Sequence, residues 1–91
     1  MFVIVAYDME NNKKRTKLMK KLKNYLNHIQ GSVFEGYLSP PLIDKMIKEI
    51  KPFIEKENDS LRIWKIPESS VKDVYVLGLP EISKNETFKI I

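Results

Sequence analysis

Asp8 is the side chain whose type and place best suit chemistry. It directly follows the apolar run Phe2-Val3-Ile4-Val5-Ala6-Tyr7, so a buried strand would present it at a sheet edge. Carboxylates bind Mg²⁺ through one or two oxygens while the ion keeps most of its waters. One Asp is too little for an all-protein metal cage. A homodimer could bring two copies of Asp8 together across its two-fold axis. The same residue type also begins turns by bonding nearby backbone amides, and the residues alone leave both readings open. The second feature is basic charge. Seven of the 16 Lys and Arg residues lie between Lys13 and Lys23, whereas Met1 to Asn12 holds none. Lys13, Lys14, Arg15 and Lys17 lead this run, with Arg62 a lesser candidate farther on. Such clustering suits a polyanion such as nucleic acid, and a solvated helix face is the competing explanation.

Other chemistries find little support. There is no cysteine, so disulfides and thiolate metal sites are excluded. His28 is the one histidine and reads as a polar rim residue rather than a base. No P-loop, GxGxxG or HExxH motif is present. Tyr7, Phe34, Tyr37, Trp64 and Tyr75 fall in expected strands. They lack the full aromatic motif of an RNA-recognition sheet, so they read as core packing.

The elements that must position these residues follow from periodicity. Met1 to Tyr7 predicts a strand in the middle of a sheet. Glu10 to Asn12 is a polar turn in which either Asn is suited to cap the next helix. Leu18, Leu22, Tyr25, Leu26 and Ile29 form one helical stripe, predicting a helix from Lys13 to about Asn27. Gln30 to Leu38 is extended, with Gly31 either turning after a very short strand or bending a long one. Ser39 and Pro40 open a second helix to Lys51, which Pro52 should end or kink near Ile50. Leu61 to Ile66 predicts a strand, Pro67 to Ser70 a turn, and Val71 to Leu77 a further strand. Helices segregated on one face of a largely antiparallel sheet make an α+β domain.

A chain of 91 residues makes one domain with a modest core, the kind often stabilised by a partner subunit. The apolar end Phe88 to Ile91 should pair with a sheet or bury against a partner, which makes residues 79–91 the expected dimer-pairing segment. No basic n-region precedes the first apolar run, and no apolar stretch approaches the roughly 20 residues of a membrane span. A cytoplasmic protein without membrane association is expected.

Several segments resemble a known family, in order and from Met1 to about Gly78. Val3-Ile4-Val5-Ala6-Tyr7-Asp8 is similar to the first-strand signature of the small CRISPR-associated endoribonucleases, the Cas-two proteins. Lys14 and Arg15 sit where that family begins its basic first helix. Gln30, Ser32-Val33-Phe34-Glu35-Gly36 and Leu38-Ser39-Pro40 resemble its central block. Asp59-Ser60-Leu61-Arg62-Ile63 and Val74-Tyr75-Val76-Leu77-Gly78 resemble its last two strand signatures. The chain departs from the family pattern at Met9, Gly31 and Pro52.

The resemblance implies a ferredoxin-like βαββαβ core with an extra C-terminal strand that pairs across a homodimer. It implies a Mg²⁺ or Mn²⁺ site built from Asp8 of each subunit. It further implies cleavage of RNA or double-stranded DNA, and a role as central dimer of the spacer-integration complex beside the Cas-one integrase. Two alternatives stand beside the nuclease reading: a non-catalytic duplex-DNA scaffold, and a toxin-like RNA-cleaving relative without an integrase partner.

Overall fold

The computed structural model of the chain describes residues 1–78 and the backbone of residues 89–90. Its elements run β1 (Phe2–Asp8), α1 (Asn12–Lys23), β2 (Asn27–Gln30), β3 (Val33–Tyr37), α2 (Pro40–Ile50), β4 (Ser60–Ile66), α3 (Glu68–Val71), β5 (Tyr75–Val76) and β6 (Lys89–Ile90). The first six make the expected βαββαβ unit. Its four strands form one sheet in the order β2-β3-β1-β4, antiparallel at every pairing, so β1 lies inside it as its unbroken apolar run requires.

Alternation along β1 sorts the two faces of the sheet. Val3, Val5, Tyr7 and Met9 are buried with Leu18 and Leu22 of α1, Phe34 of β3, and Ile43, Met46 and Ile50 of α2. Phe2, Ile4, Ala6 and Asp8 point the other way. Directly paired residues share a face, so Ile4 lies between Glu35 and Trp64, and Ala6 between Val33 and Arg62. Phe2 seals one end of this second face, its ring edge-on to Tyr37 at 5.2 Å. Trp64 and Tyr37 nonetheless remain 45% and 44% exposed.

Local chemistry accounts for the helix ends. Asn11 caps α1, its side-chain oxygen accepting from the Lys14 amide at 2.9 Å. Ser39 stands at the start of α2 in extended conformation, but its hydroxyl makes no cap bond and Pro40 supplies the start instead. Pro52 falls in a 3₁₀ turn, Lys51–Phe53, and α2 stops at Ile50 as expected.

The structure corrects two boundaries and settles a third that the sequence leaves open. Helix α1 ends at Lys23 rather than near Asn27. Asn24, Tyr25 and Leu26 wind down through amide bonds to Lys21 and Leu22 carbonyls, so Leu26 stays on the apolar stripe although the helix is over. The extended region splits into β2 and β3 at Gly31, whose φ of 42° suits a glycine turn. Beyond it, Gly36 is needed for closeness: a Cβ there would meet Leu26 Cδ2 at 3.1 Å. Lastly, the expected turn at Pro67 to Ser70 winds into α3, and the expected strand from Val71 shrinks to β5. Val71 is buried as the last residue of α3, which is why its apolar character read as strand.

Most of the expected dimer-pairing segment, 79–91, lies outside the described residues. Its residues Lys89–Ile90 pair in parallel with β5 of the same chain, a local partner that sequence reasoning did not identify. Among the described residues, no helix is long and apolar enough to cross a membrane.

Candidate functional site

The site begins where β1 ends. Ladder pairing with Ser60 holds the backbone at Asp8, and the odd-even alternation of β1 turns its side chain away from α1 and α2. The carboxylate is exposed and makes no hydrogen bond or ion pair among the described residues. The turn-forming role weighed for this residue is therefore not the one it plays; Asn11 takes that part at the next helix. A recess of about 350 Å³ opens beside Asp8, lined by Tyr7, Asp8, Met9, Arg15, Met19, Gly31 and Ser32. The end of β1, helix α1 and the β2–β3 turn meet there, and the Tyr7 amide donates to the Ser32 carbonyl at 3.2 Å.

The basic candidates separate into three settings. Lys13 and Lys17 are exposed and share a groove on α1 with Asn12, Thr16 and Lys20. Lys20 joins them because positions 13, 17 and 20 fall on one helical face, a spacing readable from the sequence. Lys14 and Arg15 turn elsewhere. Lys14 pairs with Glu55 at 3.3 Å, an exposed bridge of small energetic worth. Arg15 is half-buried; its Nη1 donates to the Met9 carbonyl at 2.8 Å and its Nη2 to the side-chain oxygen of Asn12. Arg62 is exposed on the opposite face of the sheet from α1, paired with Ala6 and so on the same face as Asp8.

Two side chains at the recess were not singled out from sequence for what they do here. Tyr7 is 5% exposed, and its hydroxyl has no hydrogen-bond partner among the described residues. Burial pushes its pKa above the ordinary phenol value, and the nearby Arg15 charge offsets part of that rise. Arg15 lies in the basic run suited to phosphate, but its reach back to Met9 depends on the turn geometry and leaves no trace in spacing. His28 behaves as a structural rim residue: its Nε2 lies 2.7 Å from the Gly31 carbonyl and its ring stacks on Phe34 at 4.7 Å.

A hard divalent cation fits Asp8 in donor type, because an exposed, uncommitted carboxylate oxygen is its preferred protein ligand. Among the described residues no group of three or more His, Cys, Asp or Glu converges to hold a metal, so a single copy of this region brings Asp8 alone.

Comparison with known proteins matches this arrangement to one family. The model of the family described as "CRISPR associated protein Cas2" matches residues 1–74. The chain is 35% identical over 79 residues to the CRISPR-associated endoribonuclease Cas2 of Thermotoga maritima, covering 87% of this chain and 90% of that protein. Among solved structures, Streptococcus pyogenes Cas2 superposes with a TM-score of 0.72 at 25% identity, covering 86% of this chain and all of that one. A chain in a partial Cas6-RT-Cas1–Cas2 complex superposes with a TM-score of 0.62 at 25% identity, covering 78% of this chain and 83% of that chain.

Proposed function

Because the chain belongs to the Cas2 family of CRISPR-associated proteins, we propose that it is a cytoplasmic, metal-dependent endonuclease that cleaves RNA or double-stranded DNA as a homodimer. The observation that carries this reading is the uncommitted Asp8 carboxylate beside an open recess, at the end of a strand fixed inside the sheet. In the dimer, Asp8 of each subunit would hold Mg²⁺ or Mn²⁺. A bound ion of this kind supplies activation of water and stabilises charge on the scissile phosphate. The chain's own part is to hold the two carboxylates and to draw the polyanion in with Lys13 and Lys17. Arg62 adds positive charge on the Asp8 face.

Support for the dimer comes from the half-exposed Trp64 and Tyr37 on the second face of the sheet, where Ile4 beside Trp64 and Val33 farther along β3 are also only partly buried. Burying such a face against a second copy is the usual remedy for a small core. Residues 79–91 would add pairing across that dimer. Nuclease assays on RNA and duplex DNA, with and without Mg²⁺ or Mn²⁺, test the reading. Wild type should cleave only with metal and Asp8→Asn should not cleave. Equal cleavage by a contaminant-free Asp8→Asn protein would overturn the assignment.

The second reading is a DNA-holding role in spacer acquisition beside the Cas1 integrase. It is favoured by the open Lys13, Lys17 and Lys20 face, and by the likeness to a chain found in a complex with Cas1. A pull-down with the cognate integrase, repeated with Asp8→Asn, separates the roles: holding DNA needs shape and charge and should survive the substitution.

A further inference from the structure

We propose that Arg15 is a positioning residue that fixes the turn carrying Asp8, and that it contributes no phosphate contact of its own. This inference rests on the metal-site reading of Asp8. The turn between β1 and α1 is only three residues long, Met9 to Asn11. On its β1 side, Asp8 is held by the ladder to Ser60. On the α1 side, Asn11 is held by the Lys14 amide. Met9 lies between, its side chain 4% exposed under the core and its carbonyl bound by Arg15. The same guanidinium also grips the side chain of Asn12, so its flat fork ties the end of the strand to the first turn of the helix. A guanidinium is suited to this because two of its donors diverge in one plane at fixed geometry, which a lysine ammonium cannot reproduce. Its half-buried position among the residues that line the recess sets it apart from the exposed Lys13 and Lys17. Carbonyl 9 is one peptide from the Asp8 side chain, so loss of the fork would let the carboxylate wander.

The test compares Arg15→Ala, Arg15→Lys and Asn12→Ala with Lys17→Ala in the full-length protein, reading Mn²⁺ binding by calorimetry and nucleic-acid affinity against salt. Arg15→Ala should weaken Mn²⁺ binding about tenfold, the range typical of residues that orient metal ligands. Arg15→Lys should fail to restore it although the charge is kept. Asn12→Ala, which removes one prong without touching any charge and spares the fold, should shift it in the same direction by less. The log-log salt slope of duplex binding should stay at the wild-type value in all three, while Lys17→Ala makes it shallower by about 0.9. A slope that becomes shallower in Arg15→Ala and recovers in Arg15→Lys would make Arg15 a phosphate contact and overturn the proposal. So would unchanged Mn²⁺ binding in Arg15→Ala when Asp8→Asn abolishes it. If wild type and Asp8→Asn alike bind no Mn²⁺, the metal reading falls. The exchange rates of the Met9 and Glu10 amides then decide the positioning role: faster exchange in Arg15→Ala upholds it, and wild-type exchange sinks it.

Discussion

The two faces of the sheet are built from the same strands and do opposite things. On one, Val3, Val5 and Phe34 are fully buried against Leu18, Leu22 and Met46. On the other, residues one step along the same strands are Ile4, Ala6, Asp8, Arg62 and Trp64, of which the last three are exposed. β1 shows the contrast within seven residues. Its side chains toward the helices hold the domain together. Those pointing away carry an uncommitted carboxylate and an apolar strip that this region of a single copy leaves half covered. A small domain therefore keeps stability and function apart by using the period-two alternation of a strand.

Substitutions on the two faces should separate accordingly. Phe34→Ala, on the sealed face, should cost about 3–5 kcal/mol, enough to unfold much of a domain this small. Asp8→Asn, on the other, should change stability by less than about 0.5 kcal/mol while lowering metal-dependent cleavage about 100-fold or more. Thermal melts beside nuclease assays read both. A large drop of melting temperature in Asp8→Asn would mean that the faces are not independent. Next in size is Trp64→Glu, which puts a charge at the β4 edge of the exposed apolar strip. Sedimentation should then show a folded monomer where wild type is dimeric, and a Trp64→Glu dimer would place the subunit contact elsewhere.

Much of this division was legible in the sequence, and for a clear reason. The stripes Leu18-Leu22-Leu26 and Ile43-Met46-Ile50, and the apolar run of β1, report the sealed face directly because burial selects residue type. Asp8 is conspicuous as a charged residue closing such a run, although the residues alone leave its role open and only the family resemblance implies a metal. The end of α1 was not, since Leu26 stays buried past the last helical turn and periodicity records burial, not backbone geometry. α3 was hidden for a similar reason: a single helical turn has too few residues to show a period. At the site, the split among Lys13, Lys14 and Arg15 was invisible. Consecutive residues of one helix point about 100° apart, so neighbours of like charge meet a groove, Glu55 and the Met9 carbonyl in turn. Where each side chain lands depends on α1 docking against the 3₁₀ turn and β1, which no local pattern encodes.

The helix charge offers a finer test within the sealed side. Lys13, Lys17 and Lys20 face solvent together, so replacing each with Gln should make the log-log salt slope of duplex binding shallower by about 0.9 for every phosphate no longer neutralised. Lys14→Gln should have a weaker effect, because its ammonium is already engaged by Glu55. Equal slopes for Lys14 and Lys17 variants would mean that the Glu55 bridge opens freely in the complex.

The smallest effect belongs to Tyr7, the one residue of β1's sealed row that brings a polar atom into the core beside the site. Its hydroxyl has no hydrogen-bond partner among the described residues. Tyr7→Phe keeps the ring against Phe34, 6.3 Å between centroids, and removes only that oxygen. At neutral pH the variant should be as stable as wild type or gain up to about 1 kcal/mol, since an unpaired buried hydroxyl is a cost. Alkaline pH should widen the gap. Burial favours the neutral phenol, so the folded pKa lies above the ordinary phenol value of 10.0, even though Arg15 pulls it partly back. Below pH 10 both states hold the proton and the contribution is fully present. Above it, the unfolded chain releases its proton first, and stability is lost as pH rises through the folded value. Tyr25 is shifted the same way, by burial first and then by its hydrogen bond to Glu49 and that group's charge, so Tyr7→Phe should remove part of the alkaline loss and not all of it. Chemical denaturation at about pH 8 and about pH 10.5 measures the difference. A wild type that loses no more than Tyr7→Phe between those values would show that the phenol ionises as easily folded as unfolded, and that this end of β1 is open to water on both faces.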